Sequence, residues 1–116
     1  MAVREEEGLR MAKFIMNTSI LPNDGLFQMQ TVDEETAKAW AAEGGWVSAV
    51  GHPGTAEVMS ALLGAVIPSN RIQVAFEVGD EALVFKLDCR LPEGKVLTAD
   101  ELRELPFSWK LLKRVR

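Results

Sequence analysis

Cysteine and histidine are nearly absent from this chain of 116 residues, which has one of each, Cys89 and His52. A lone thiol forms no internal disulfide and builds no cysteine-based metal cluster. It reads as a half-buried free cysteine in a reducing compartment. One histidine without a carboxylate cluster disfavours a metal-dependent mechanism, and no glycine loop of nucleotide-binding type is present, so no metal and no cofactor are expected. No apolar run reaches the roughly 18 residues that span a bilayer. A signal-peptide core is missing too, because Arg4, Glu5, Glu6, Glu7 and Arg10 crowd the first residues. A soluble cytoplasmic protein without a membrane partner is the expectation. Basic excess is also lacking: 13 Lys and Arg stand against 17 Asp and Glu, a net charge of −4. That argues against a broad cationic face for duplex DNA, and leaves room for a small anion held by a few local cations.

What is present suits one globular domain. The hydrophobic fraction is 47% and the charged fraction 26%, both ordinary for a folded chain. Residues 1–10 read as a charged, flexible leader or the remnant of a longer reading frame, and residues 11–116 as the domain.

Lys13 to Met16 reads as a first strand, followed by the turn formers Asn17, Thr18 and Ser19. Phe27, Met29 and Thr31 alternate with Gln28 and Gln30, the period of a half-buried strand. Asp33 suits the N-cap of a helix over Glu34 to Glu43 that buries Ala37, Trp40 and Ala41, and Gly44-Gly45 ends it. Trp46 to Val50 is ambiguous between strand and turn. Pro53 fits the first position of a second helix reaching about Leu63, with Val58, Met59, Leu62 and Leu63 inward and Gly64 as its terminator. His52 then stands where that helix begins.

Residues 71–90 carry a strong alternation. Ile72, Val74, Phe76 and Val78, a Gly79-Asp80 loop, then Leu83, Phe85 and Leu87 predict a tight hairpin. Its register sets Phe76 against Leu83, Val74 against Phe85, Ile72 against Leu87, and Arg71 against Asp88. The opposite face would be polar, with Arg71, Gln73, Lys86, Asp88 and Arg90. Thr98 and Glu101 form a capping-box pattern for a short helix ended by Pro106, and Phe107, Trp109 and Leu111 a last strand. The sum is an α+β fold: a single mixed, mostly antiparallel sheet of about five strands flanked by helices.

His52 is the side chain whose ordinary pKa, about 6.5, suits proton transfer near neutrality. A helix start offers unpaired N–H groups and partial positive charge to an anion, and the flanking glycines allow close approach. The same position also suits a capping or partly buried histidine. Arg90 can hold a phosphate bidentately or pair with Asp88. Glu93 reads equally as a turn carboxylate, and Asn17, Thr18 and Ser19 as self-satisfied turn residues. Trp40, Trp46 and Trp109 read as core residues more readily than as base-stacking platforms, Trp46 being the one near His52.

Four segments together resemble the viral anti-CRISPR ring nucleases, which have cellular members too. They are Asn17-Thr18-Ser19-Ile20-Leu21, Ser48-Ala49-Val50-Gly51-His52-Pro53-Gly54-Thr55-Ala56, Asn70-Arg71-Ile72, and Arg90-Leu91-Pro92-Glu93-Gly94-Lys95-Val96-Leu97, in order over residues 12–115. The resemblance implies a homodimer that binds cyclic tetra-adenylate at its interface and cleaves it without metal, ending type III CRISPR signalling. If the chain is viral, it would act in the host cytoplasm. It implies His52 as general acid, Arg90 and Glu93 as its active-site partners, and Asn17, Thr18, Ser19, Gly54, Thr55, Arg71 and Lys86 as ligand-binding residues. Pro53-Gly54 and Lys86 stand where members vary. A sponge that binds the ring without cutting it, and a viral protein-interaction domain, are the competing readings.

Overall fold

The computed structural model describes residues 12–18, 23–88, 100–101 and 104–116. In chain order the elements are β1 (Lys13–Met16), β2 (Phe27–Val32), α1 (Glu34–Ala42), β3 (Trp46–Ala49), α2 (Pro53–Leu63), β4 (Glu81–Leu87) and β5 (Phe107–Arg114). The five strands form one sheet in the order β2-β5-β4-β1-β3. β1 runs parallel to both β3 and β4, while β5 is antiparallel to β4 and β2. The antiparallel seams are the longer ones, so the expected α+β class with one mixed sheet holds. Segment Trp46–Ala49, ambiguous in the sequence, is a strand.

Both helices start and stop where the local chemistry directs. Asp33 adopts an extended N-cap conformation, and its carboxylate accepts the Thr36 N–H at 2.8 Å. Hydrogen bonding from Thr36, side chain first and backbone second, holds the Asp33 carboxyl below its usual range. Pro53 begins α2, where its missing N–H leaves nothing unpaired. Gly64 ends α2 at φ 67°, a left-handed conformation that needs no Cβ.

The sheet has two unlike faces. α1 and α2 cover the first, burying Ala37, Trp40, Val58, Met59 and Leu63 against Ile15, Leu83, Phe85 and Trp109. The second holds a smaller cluster: Met16, Ala82, Val84 and Leu112 of the strands, with Val74 and Phe76 from the segment before β4. Phe76 packs there against Phe14 and Phe27, with ring centroids 5.6 and 5.7 Å apart.

The hairpin expected at residues 71–90 does not form. Residues 71–77 join no strand ladder, and β4 gives its two edges to β1 and β5. The turn is centred one residue earlier than the sequence predicts, on Val78-Gly79, closed by the Asp80 N–H to the Glu77 carbonyl at 3.0 Å, with Gly79 at φ 95°. Asp80 cannot stand at the loop tip because it is buried, its carboxylate accepting the N–H groups of Ala12 and Glu77 at 3.0 and 2.8 Å. A shift of one residue reverses the face that a chain presents. Phe76 and Val74 therefore sit on the second face, whereas Leu83 and Phe85 point to the helices. The pairing of Arg71 with Asp88 is lost with the hairpin. Alternation foretold the burial of Val74 and Phe76, but not the ladder. The expected Thr98 capping box and Cys89 lie outside the described residues, while Asp100 and Glu101 are helical.

Candidate functional site

The parallel arrangement of β1, β3 and β4 sends three carboxyl ends to one edge of the sheet. Met16 pairs with both Ala49 and Val84, so the residues that leave these strands emerge side by side. Asn17 and Thr18 follow β1, Gly51 and His52 follow β3, and Lys86 lies at the end of β4. In open α/β sheets the space beyond the carboxyl ends of parallel strands is a favoured place for ligands, and the β3-β1-β4 part of this sheet shares that parallel arrangement.

His52 is the N-cap residue of α2, at φ −118° and ψ 119°, and its side chain makes no capping bond. The imidazole is exposed. The capping and buried alternatives for His52 therefore fall away. The first helical hydrogen bond is the Ala56 N–H to the His52 carbonyl, 2.9 Å. Gly54 and Thr55 thus precede the hydrogen-bonded turn, and their N–H groups lie at the positive end of the helix dipole.

Arg71 reaches the same place by a route the sequence does not reveal. Past α2 the chain returns alongside β3. The buried Ser48 hydroxyl donates to the Pro68 carbonyl at 2.6 Å, and Val50 forms a parallel bridge with Ser69. Asn70 clamps the segment twice: its N–H meets the Val50 carbonyl at 2.7 Å, and its side-chain Nδ2 donates to the Ser48 carbonyl at 2.7 Å. The next residue, Arg71, consequently lies along Gly51, so that a methyl group at Gly51 would stand 3.5 Å from Arg71 Nε. The guanidinium therefore runs beside the backbone that leads into His52. Among the described residues, Arg71 has no carboxylate within 4.0 Å, and neither has Lys86.

The structure thus gathers Asn17, Thr18, His52, Gly54, Thr55, Arg71 and Lys86 at one edge of the sheet. Ser19, Arg90 and Glu93 lie outside the described residues. Among the described residues, no group of three or more His, Cys, Asp or Glu is placed to hold a metal ion, and no helix is long and apolar enough to cross a membrane. The tryptophans are accounted for in the fold: Trp40 and Trp109 are buried, and Trp46 is half-buried with its Nε1 donating to the Ala41 carbonyl at 2.8 Å. Two positioning residues escaped sequence reasoning, Ser48 and the side chain of Asn70. Both lie within the segments that carry the family resemblance, yet their positioning role shows only in the hydrogen bonds of the fold.

Residues 13–109 match the family described as STIV B116-like. The chain belongs to the STIV B116-like family. It is 39% identical over 109 residues to ORF117 of Acidianus two-tailed virus, covering 89% of this chain and 93% of that protein. It is 28% identical over 102 residues to YddF of Bacillus subtilis, covering 86% and 94%. The fold is similar to that of B116 of Sulfolobus turreted icosahedral virus, with a TM-score of 0.68, 25% identity, and 89% and 99% of the two chains covered. Relatives of the chain thus occur in Sulfolobus and Acidianus viruses and in a bacterium, and the matched region contains His52, Arg71 and Lys86.

Proposed function

We propose that this member of the STIV B116-like family is a metal-independent ring nuclease, which cleaves cyclic tetra-adenylate to linear di-adenylates ending in a 2′,3′-cyclic phosphate. One observation carries the reading: an exposed imidazole without a capping role stands at the mouth of α2, and the Arg71 side chain lies along the glycine before it. An anion is favoured there by the guanidinium and by the N-terminal N–H groups of α2. His52 follows that glycine in the chain and is the side chain we assign as proton donor.

An RNA ring carries its own nucleophile, the ribose 2′-hydroxyl next to each phosphate. Its oxygen gives up its proton to solvent and forms a bond to phosphorus as the bond to the 5′-oxygen breaks. The protein's task is to hold those groups in line, to balance the charge developing on the phosphoryl oxygens, and to supply the proton that the 5′-oxygen takes up. His52 gives that proton, Arg71 and the N–H groups of Gly54 and Thr55 hold phosphate, and Asn17, Thr18 and Lys86 line the ring. Arg90 and Glu93 complete the active site by the sequence resemblance.

A homodimer fits this chemistry. A two-fold axis places two copies of His52 around one four-membered ring, and cuts at opposite phosphates give two equal halves. Ile72, 42% exposed and next to Arg71 in the chain, lends apolar surface beside the site for the second copy. Occurrence of relatives in viruses fits an anti-CRISPR role in the host cytoplasm. The direct test is incubation with cyclic tetra-adenylate in excess EDTA and chromatographic separation of the products. Linear di-adenylate with cyclic phosphate ends is expected. A bound but intact ring would assign the chain to sequestration instead, and cleavage only with divalent metal would overturn the mechanism.

A further inference from the structure

The second face of the sheet divides sharply along its length. One register row crosses all five strands on that face: Ala49, Met16, Val84, Lys110 and Thr31. On one side of it the next row is apolar, with Val47, Phe14, Ala82, Leu112 and Met29. On the other side, toward the edge that carries His52, Lys86 pairs with Ser108. The boundary row itself turns polar at β5, where Lys110 Nζ donates to Thr31 Oγ1 at 2.7 Å.

Two lysines thus stand on neighbouring strands of the same face, on the diagonal between the Val84–Lys110 and Lys86–Ser108 pairs. Side chains at that spacing are within mutual reach. Neither ammonium has a carboxylate within 4.0 Å among the described residues. Asp88, at the rim, accepts the Ser108 hydroxyl at 3.1 Å. Like charges placed so repel, and an anion between them turns the repulsion into attraction. Such a pair of lysines on one face is unexpected on a chain of net charge −4. The Thr31 hydroxyl takes one of the three N–H donors of Lys110 and leaves two for a ligand.

We propose that Lys110, together with Lys86, holds a phosphodiester of the ligand over the polar end of the sheet's second face, extending the site from the His52 edge across β4 and β5. This rests on the ring-nuclease reading for the identity of the ligand, but not for the anion chemistry. Lys110 is a binding residue and takes no part in proton transfer.

The experiment measures affinity for cyclic tetra-adenylate and for linear tetra-adenylate in the His52→Ala background, which keeps the ring intact, from 50 to 300 mM KCl. Lys110→Gln is expected to weaken binding about tenfold and to reduce the salt slope by about 1. Lys38→Gln, on the exposed side of α1, should change neither. Equal losses on both ligands mean a general phosphodiester site, and a loss confined to the ring means a site shaped for it; either supports the assignment. Unchanged affinity and salt slope in Lys110→Gln overturn it, as does failure of the parent protein to bind either ligand. If the ring binds through Lys110 yet is never cut by the protein with His52 intact, the nuclease reading fails while this one stands.

Discussion

Replacing Asn70 by aspartate probes how the fold delivers Arg71 to the site. The side chains have the same shape, but the Nδ2 donor that meets the Ser48 carbonyl at 2.7 Å becomes a carboxylate oxygen facing a carbonyl oxygen. A hydrogen bond in a partly buried place is lost and an acceptor is left against an acceptor, an effect of about 1–3 kcal/mol. Unfolding entropy of about 2.1 cal/mol/K per residue gives, for 116 residues, about 4 °C of Tm per kcal/mol. A loss of about 2 kcal/mol therefore lowers Tm by about 8 °C in a circular-dichroism or calorimetric melt. Asn70→Ala removes the bond without adding charge, and should lower Tm by about half as much. Both variants loosen the segment tied to β3, so ring binding should weaken more than Tm alone implies, as Arg71 loses its seat along Gly51. An Asn70→Asp protein that melts within about 2 °C of the parent, the range of an inert surface change, would refute the clamp.

Arg71→Ala should leave Tm within about 2 °C, because the side chain is exposed and has no described carboxylate partner, yet weaken ring binding by tenfold or more, about the effect of losing a charge-assisted bond; isothermal titration checks both halves of that statement. Gly64→Ala places a Cβ in the left-handed region at φ 67° and should lower Tm by about 4 °C, for a penalty of about 1 kcal/mol. Asp33 titrates lower in the folded chain than its ordinary 3.8 because its carboxylate is held by Thr36. Its contribution is present above the unfolded value and fades as the pH falls through the lower folded one. The Tm difference between the parent and Asp33→Ala should accordingly shrink below about pH 4; a difference constant down to pH 2 would remove the cap from the account.

Much of this architecture was legible because it depends on neighbours in sequence. Asp33, Pro53 and Gly64 mark helix ends by their own conformational chemistry, and all three do so here. The alternation in Phe107, Trp109 and Leu111 likewise announced β5, which runs on to Arg114. Non-local pairing was not legible. Nothing in Lys13–Met16 says that its partners are β3 and β4, both parallel. Residues 71–77 alternate as a strand would, yet β4 has no free edge to receive them. What alternation reports is one-sided burial, and Val74 and Phe76 obey it on the face opposite to the expected one.

The candidate site followed the same division. His52 was visible as the only histidine beside a helix start, since both cues are local. The seating of Arg71 depends on Asn70 reaching the Ser48 carbonyl, 22 residues away in sequence. Lys110 looked like an ordinary outward residue of an alternating strand. Its proximity to Lys86 exists only through the β4–β5 register.

The most direct test of the central claim is single-turnover cleavage of cyclic tetra-adenylate in EDTA by the parent protein and by His52→Ala. The parent should yield linear di-adenylate with 2′,3′-cyclic phosphate ends, and the variant should bind the ring with similar affinity while cutting it about 10²–10⁴ times more slowly, the usual worth of a general acid. Cleavage by His52→Ala at the parent's rate would contradict the account.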